Sequence, residues 1–200
     1  MVLLAGVDEV GRGCLFGPVV AAVVVVNTIQ EQALGELGVT DSKKLSAKRR
    51  ETLVPQIQAL VTDWAIASAS VAEIDQLNIL QATFLAMTRA VEKLQIKPTE
   101  IFVDGRQTIP RLPYPQQAII QGDSKIKAIA AASILAKVQR DQDIIQLAEH
   151  YPEYDLANNK GYGTQKHRQA IWQYGLTPHH RQSFKIQPPS QQLELLPEQE

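Results

Sequence analysis

The chain has 200 residues, 44% hydrophobic and 20% charged, which allows one sizeable core in a single domain. Its net charge of −1 excludes an overall basic coat, and its longest apolar run, Pro18 to Val26, falls well short of the roughly 18 to 20 residues that cross a bilayer. Cys14 is the only cysteine, which excludes an internal disulfide and a thiolate zinc cluster, so any metal would meet oxygen or imidazole.

Charge is unevenly spread. Residues 186 to 200 hold Glu194, Glu198 and Glu200 and no basic group, so the first 185 residues are slightly basic. From Lys160 to Lys185 there is no acid at all, against Lys160, Lys166, Arg168, Arg181 and Lys185, a pattern that fits a local basic surface. Asp8 and Glu9 precede the first Lys or Arg, unlike the start of a secretory leader, so a cytoplasmic location is expected.

In chain order, Val2 to Val7 reads as a strand running into Asp8. Gly11-Arg12-Gly13 breaks it before a second strand, Pro18 to Val26, and the tight connection predicts a hairpin. Ser46 caps a helix to about Leu60 that Pro55 should disturb or end, and Val61 to Ser68 suits a short strand. Ser70 to Glu73 forms a capping box, after which Ile74, Leu77, Gln81, Phe84, Thr88, Val91 and Leu94 trace one helical stripe. Ile101 to Val103 stops at Asp104-Gly105, and Ala118 to Ile120 resumes a strand beyond a proline-stiffened loop. After Gly122-Asp123-Ser124 a long helix runs from Ala128 to about His150. This alternation predicts an α/β domain with a mixed sheet over residues 1 to 185, followed by a flexible tail from 186 to 200.

Asp8 with Glu9, Asp104 and Asp123 each stand where a strand ends or a helix begins. If they converge, they make an all-oxygen site suited to Mg²⁺ or Mn²⁺. Adjacent strand residues point to opposite faces, so Asp8 and Glu9 share a site only if the strand ends or bulges there. Taken singly, Asp104-Gly105 also reads as a turn and Asp123 as a helix cap. Gly11, Arg12 and Gly13 let backbone amides approach a phosphate strand, Lys43 and Lys44 belong to a basic cluster that could equally be solvated, and Tyr162 lies between two glycines in a turn. His167, His179 and His180 make a poor zinc set, because neighbours at 179 and 180 seldom converge.

Together these segments resemble the ribonuclease HII family from about Gly6 to Phe184. The likeness rests on Gly6 to Gly13, Gly17 to Ala21, Asp41 to Leu45, Asn78 to Thr83, Val103 to Gly105 and Gly122 to Lys125. It continues through Ala131 to Val138, Arg140-Asp141, Gly161 to Thr164 and His180 to Phe184. The resemblance implies a ribonuclease H-like fold with a helical C-terminal portion. It also implies a monomeric endonuclease that cuts the RNA strand of RNA·DNA hybrids and 5′ of ribonucleotides in duplex DNA. Asp8, Glu9, Asp104 and Asp123 would be its catalytic, metal-holding acids. Gly11, Arg12 and Gly13 would read the ribose 2′-hydroxyl, Tyr162 would pack on the neighbouring deoxyribose, and Lys43 and Lys44 would meet phosphates. The chain departs from the commonest pattern at Val10, often alanine, and at Cys14-Leu15-Phe16, which bears on pocket fit. A nuclease of the same fold acting on other nucleic acids and a non-catalytic hybrid-binding module remain as alternatives.

Overall fold

The computed structural model describes residues 2–186. Strand β1 (Leu4–Val10) forms a hairpin with β2 (Val19–Val26), as the tight connection required. Helix α1 (Thr28–Glu36) follows, closed by an Asn27 capping box, and α2 (Ala47–Leu60) is capped by Ser46. Beyond β3 (Asp63–Ala69) come α3 (Val71–Leu77) and α4 (Ile79–Glu92). Strands β4 (Glu100–Asp104) and β5 (Gln116–Ile119) then lead to α5 (Lys127–Ala148) and the short helices α6 (Leu156–Asn159) and α7 (Gln165–Tyr174).

The sheet order is β3-β2-β1-β4-β5, antiparallel on the hairpin side and parallel from β1 through β4 to β5. It is the expected mixed sheet. Every residue of β2 is buried, because helices cover both faces. One face packs on α4 through Ala5, Val7, Ile101, Val103 and Met87; the other packs on α2 and α5 through Val20, Val24, Ile57 and Ile134. Burying each of the larger side chains is worth roughly 1.5–3 kcal/mol, so these two layers fix the strand ends that follow. A third cluster around Phe16, Ile144, Tyr154 and Ile171 seats the C-terminal helices.

Three sequence expectations change. Pro55 lies inside an unbroken α2, where it and Glu51, whose carbonyl loses its helical donor, are both exposed to water that can replace the bond. The single stripe from Ser70 to Leu94 is two helices, divided at Asn78, whose φ of 75° no helix interior accepts and whose side chain caps Leu80 and Gln81. Helix α5 lacks a side-chain cap of its own; Glu31 on α1 accepts from the backbone N–H of Lys127 and Ala128 at 2.6 and 2.9 Å. The expected tail lies outside the described residues except for Ile186, which packs partly buried on the third cluster.

Candidate active site

The register places the four acids at one end of the sheet. Strand β1 runs two residues beyond Glu9's neighbour Asp8 without a bulge, pairing Asp8 with Ala22 and Glu9 with Ala21. Its parallel pairing with β4 ends at Val7–Val103. The expectation that β1 must end or bulge is therefore replaced by a different device: the neighbouring ladder stops. Asp8 then points toward α5 and Glu9 toward α4, and Asp104, the last residue of β4, stands beside both. Asp104 lies near enough to add, behind the larger effect of burial, to the upward shift of the carboxyls of Asp8, Glu9 and Asp123.

Each acid is held in its own way. Asp8 is buried, pushed well above the ordinary carboxylate range by burial and then by Glu9. It accepts from the backbone N–H of Glu9 at 2.7 Å and from the Ser133 hydroxyl. Ser133 lies 3.0 Å from the Ser42 hydroxyl, so if it donates to Asp8, Ser42 must donate to it. Glu9 is raised by burial, against which the Arg12 guanidinium 3.3 Å away works in the opposite direction. Asp104 accepts from the Gly122 N–H at 2.7 Å, which ties β4 to the turn that carries Asp123. Asp123 is buried and raised by that burial, then by Asp41 and Asp104; Lys43 stands 3.9 Å away.

The donor set is entirely oxygen and its negative charge is poorly compensated, the chemistry that suits a hard divalent cation. Among the described residues no three such groups converge on one metal position, and a near donor engages one oxygen each of Asp8, Glu9 and Asp104. Beside the acids a cleft of about 590 Å³ is lined by Glu9, Arg12, Leu80, Phe84, Asp104 and Arg106, among others.

The remaining predicted residues fall in two groups. Lys43 reaches the acids through Asp123, whereas Lys44 is exposed on the same turn. Gly11, Arg12 and Gly13 sit immediately beyond β1, and the residues that follow them meet the Tyr162 turn, through a bridge between Cys14 and Tyr162 and a 2.8 Å bond from Leu15 N–H to the Gly161 carbonyl. Tyr162 is 41% exposed, with Lys137 Nζ 5.7 Å from its ring centre. His167 and His180 do meet, at 3.1 Å, and no third ligand joins them among the described residues. Sequence reasoning missed Ser133 and Lys137. Both lie on the alanine-rich α5, within the Ala131 to Val138 stretch that carries the resemblance, where helical spacing pointed to packing.

Comparison with known proteins completes the description. The family model described as Ribonuclease HII matches residues 5–187. The Ribonuclease HII of Trichodesmium erythraeum is 56% identical over 188 residues, covering 94% of this chain and 89% of that one. The Ribonuclease HII of Coxiella burnetii is 50% identical over 198 residues, covering 98% and 94%. Among solved structures, the ribonuclease H2 of Pyrococcus horikoshii superposes with a TM-score of 0.78 at 30% identity, covering 92% of this chain and 95% of that one.

Proposed function

Since the chain belongs to the ribonuclease HII family, metal-dependent endonucleases that cleave RNA in RNA·DNA hybrids and at ribonucleotides in DNA, we propose that Asp8, Glu9, Asp104 and Asp123 are its catalytic acids. The observation that carries this reading is the register, in which the β1–β4 ladder stops at Val7–Val103 and leaves Asp8, Glu9 and Asp104 at one end of the sheet, with the Gly122 N–H on Asp104 tying in the turn that bears Asp123.

Four acids so close are tolerable in the active protein when divalent cations cancel their repulsion. Bound Mn²⁺ or Mg²⁺ would neutralise the attacking and leaving oxygens of the phosphodiester, giving 3′-hydroxyl and 5′-phosphate ends. The protein's own part is to hold the carboxylates still: the Gly122 N–H fixes Asp104, Ser133 fixes Asp8, and Arg12 fixes Glu9. Lys43 beside Asp123 and the exposed Lys44 supply positive charge for phosphates.

In this reading the backbone of Gly11, Arg12 and Gly13 meets the ribose 2′-hydroxyl, the atom that separates RNA from DNA, while Tyr162 packs on the following deoxyribose. Its support is the contact that Cys14 and Leu15, directly after the loop, make with the Tyr162 turn, and the partial exposure of the Tyr162 ring. A monomer is part of the same proposal and rests on the family resemblance. The free, buried Cys14 fits a reducing cytoplasm. No helix of the described residues is long and apolar enough to cross a membrane.

The test is cleavage of a labelled DNA duplex carrying one ribonucleotide, by wild type and Asp104→Asn, at saturating Mn²⁺ or Mg²⁺. The variant should fold, bind the duplex and lose cleavage by orders of magnitude. Full activity would remove Asp104 from the site.

A further inference from the structure

Two arginines, Arg140 on α5 and Arg181 near the described C-terminus, are completely buried, yet neither belongs to any ion pair among the described residues. A buried guanidinium without a carboxylate is costly, and burial draws Arg181 down to about 10. Such a cost is kept only where the geometry it enforces matters.

Their hydrogen bonds go to backbone carbonyls. Arg140 donates from Nε to Pro18 at 3.1 Å, from Nη1 to Lys160 at 2.8 Å and from Nη2 to Phe16 at 2.9 Å. Arg181 donates from Nε and Nη2 to Gly17 at 3.0 and 2.9 Å, and from Nη1 to Arg12 at 2.9 Å. Phe184 covers its guanidinium at 5.0 Å. Thus four of the five acceptor residues lie between 12 and 18, and the fifth immediately precedes the Gly161-Tyr162 turn.

The glycines around them are shaped to the same purpose. A Cβ on Gly11 would lie 2.2 Å from Arg140 Nε, and one on Gly161 would lie 2.7 Å from the Phe16 carbonyl. Gly11 and Gly161 also have φ of 92° and 81°. Loop and turn therefore close on the guanidinium with no room for side chains.

We infer that Arg140 and Arg181 are positioning residues that lock the 11–13 loop and the Tyr162 turn in one fixed relative geometry, so that discrimination of a single ribonucleotide depends on them. This rests on reading those two segments as the elements that recognise the RNA-to-DNA junction. The physical requirement is preorganisation: a 2′-hydroxyl is distinguished by backbone groups only if they are already in place, and small errors of position can cost about a hundredfold in rate. The planar fork is essential, because lysine keeps the charge but cannot span two carbonyls at fixed angles.

The experiment uses the full chain with Arg140→Lys, Arg181→Lys and Tyr162→Ala. Each is assayed for kcat and KM on a DNA duplex with one ribonucleotide and on a long RNA·DNA hybrid, at one salt and metal concentration, with circular dichroism confirming the fold. The lysine variants should lower the ratio of single-ribonucleotide to long-hybrid kcat/KM by about tenfold or more. Equal losses on both substrates, with Tyr162→Ala still shifting the ratio, overturn the inference alone. An unchanged ratio in Tyr162→Ala overturns the junction reading and the inference with it. Should the arginine variants not fold, hydrogen exchange on wild type decides. The Leu15 and Gly17 N–H groups, bonded to Gly161 and His179 carbonyls, should be strongly protected without substrate, and exchange at the unprotected rate overturns the inference.

Discussion

Replacing Gly6 with alanine tests whether the contact between β1 and α5 sets the site. A Cβ at Gly6 would lie 2.2 Å from the Ile129 nitrogen and 2.3 Å from the Ala128 carbonyl carbon, both helix backbone. Ordinary contact begins at 3.4 Å, so strand and helix must separate by about 1.2 Å, a shift no side-chain rotation can avoid. Overpacking of this kind costs about 1–3 kcal/mol, whereas alanine's gain over glycine in a strand is only about 0.5–1 kcal/mol, so destabilisation wins. The melting temperature should fall by roughly 2–8 °C. Activity should fall further than stability, because Ser133 sits one turn beyond Ile129 and bonds both Asp8 and Ser42. A displacement near 1 Å should cost about a hundredfold in cleavage under conditions where the variant is fully folded. Thermal melts and single-turnover cleavage of a hybrid measure the two effects. A Gly6→Ala protein that melts and cuts like wild type would refute the reasoning.

Tyr162→Ala should impair cutting at a single embedded ribonucleotide more than cutting within long RNA, by about tenfold in the ratio of rates; an unchanged ratio makes Tyr162 an ordinary turn residue. Glu31→Gln weakens the carboxylate that caps α5, and should cost about 1 kcal/mol in chemical denaturation; no change would mean the cap is dispensable. His180 is held down to about 4 by burial and by His167 and His179, against 6.5 for an unperturbed histidine. Between those values the unfolded chain binds more protons, so this residue should make stability fall as pH drops from about 6.5 toward 4. The raised acids of the site act in the opposite direction, so the comparison is wild type against His180→Asn. The variant should lose less stability between pH 7 and pH 5, and identical pH slopes would refute the assignment.

The sequence by itself determined the strands, their mixed sheet and the residue types of the candidate site, but not the helices Thr28–Glu36, Leu156–Asn159 and Gln165–Tyr174. Val19 to Val26 could only be a buried strand, and the close return from Val10 to Val19 forced an antiparallel hairpin. A single cysteine left oxygen or imidazole for a metal, and acids at strand ends pointed to oxygen. Local rules sufficed there because periodicity, turn chemistry and composition are properties of neighbouring residues. They failed where the deciding partner is distant. The break at Asn78 needs a left-handed backbone that a helical stripe does not announce, and the cap of α5 comes from Glu31, almost a hundred residues earlier. Only the tertiary structure showed what lies beside Asp8 and Glu9 on opposite faces of β1: the ladder to β4 ends at Val103, and Asp104 follows it at the same end of the sheet. The same holds for Arg140 and Arg181, which look like surface charges in sequence. Folding buries them under the 11–18 loop, where their guanidinium groups meet the carbonyls of Arg12, Phe16, Gly17 and Pro18.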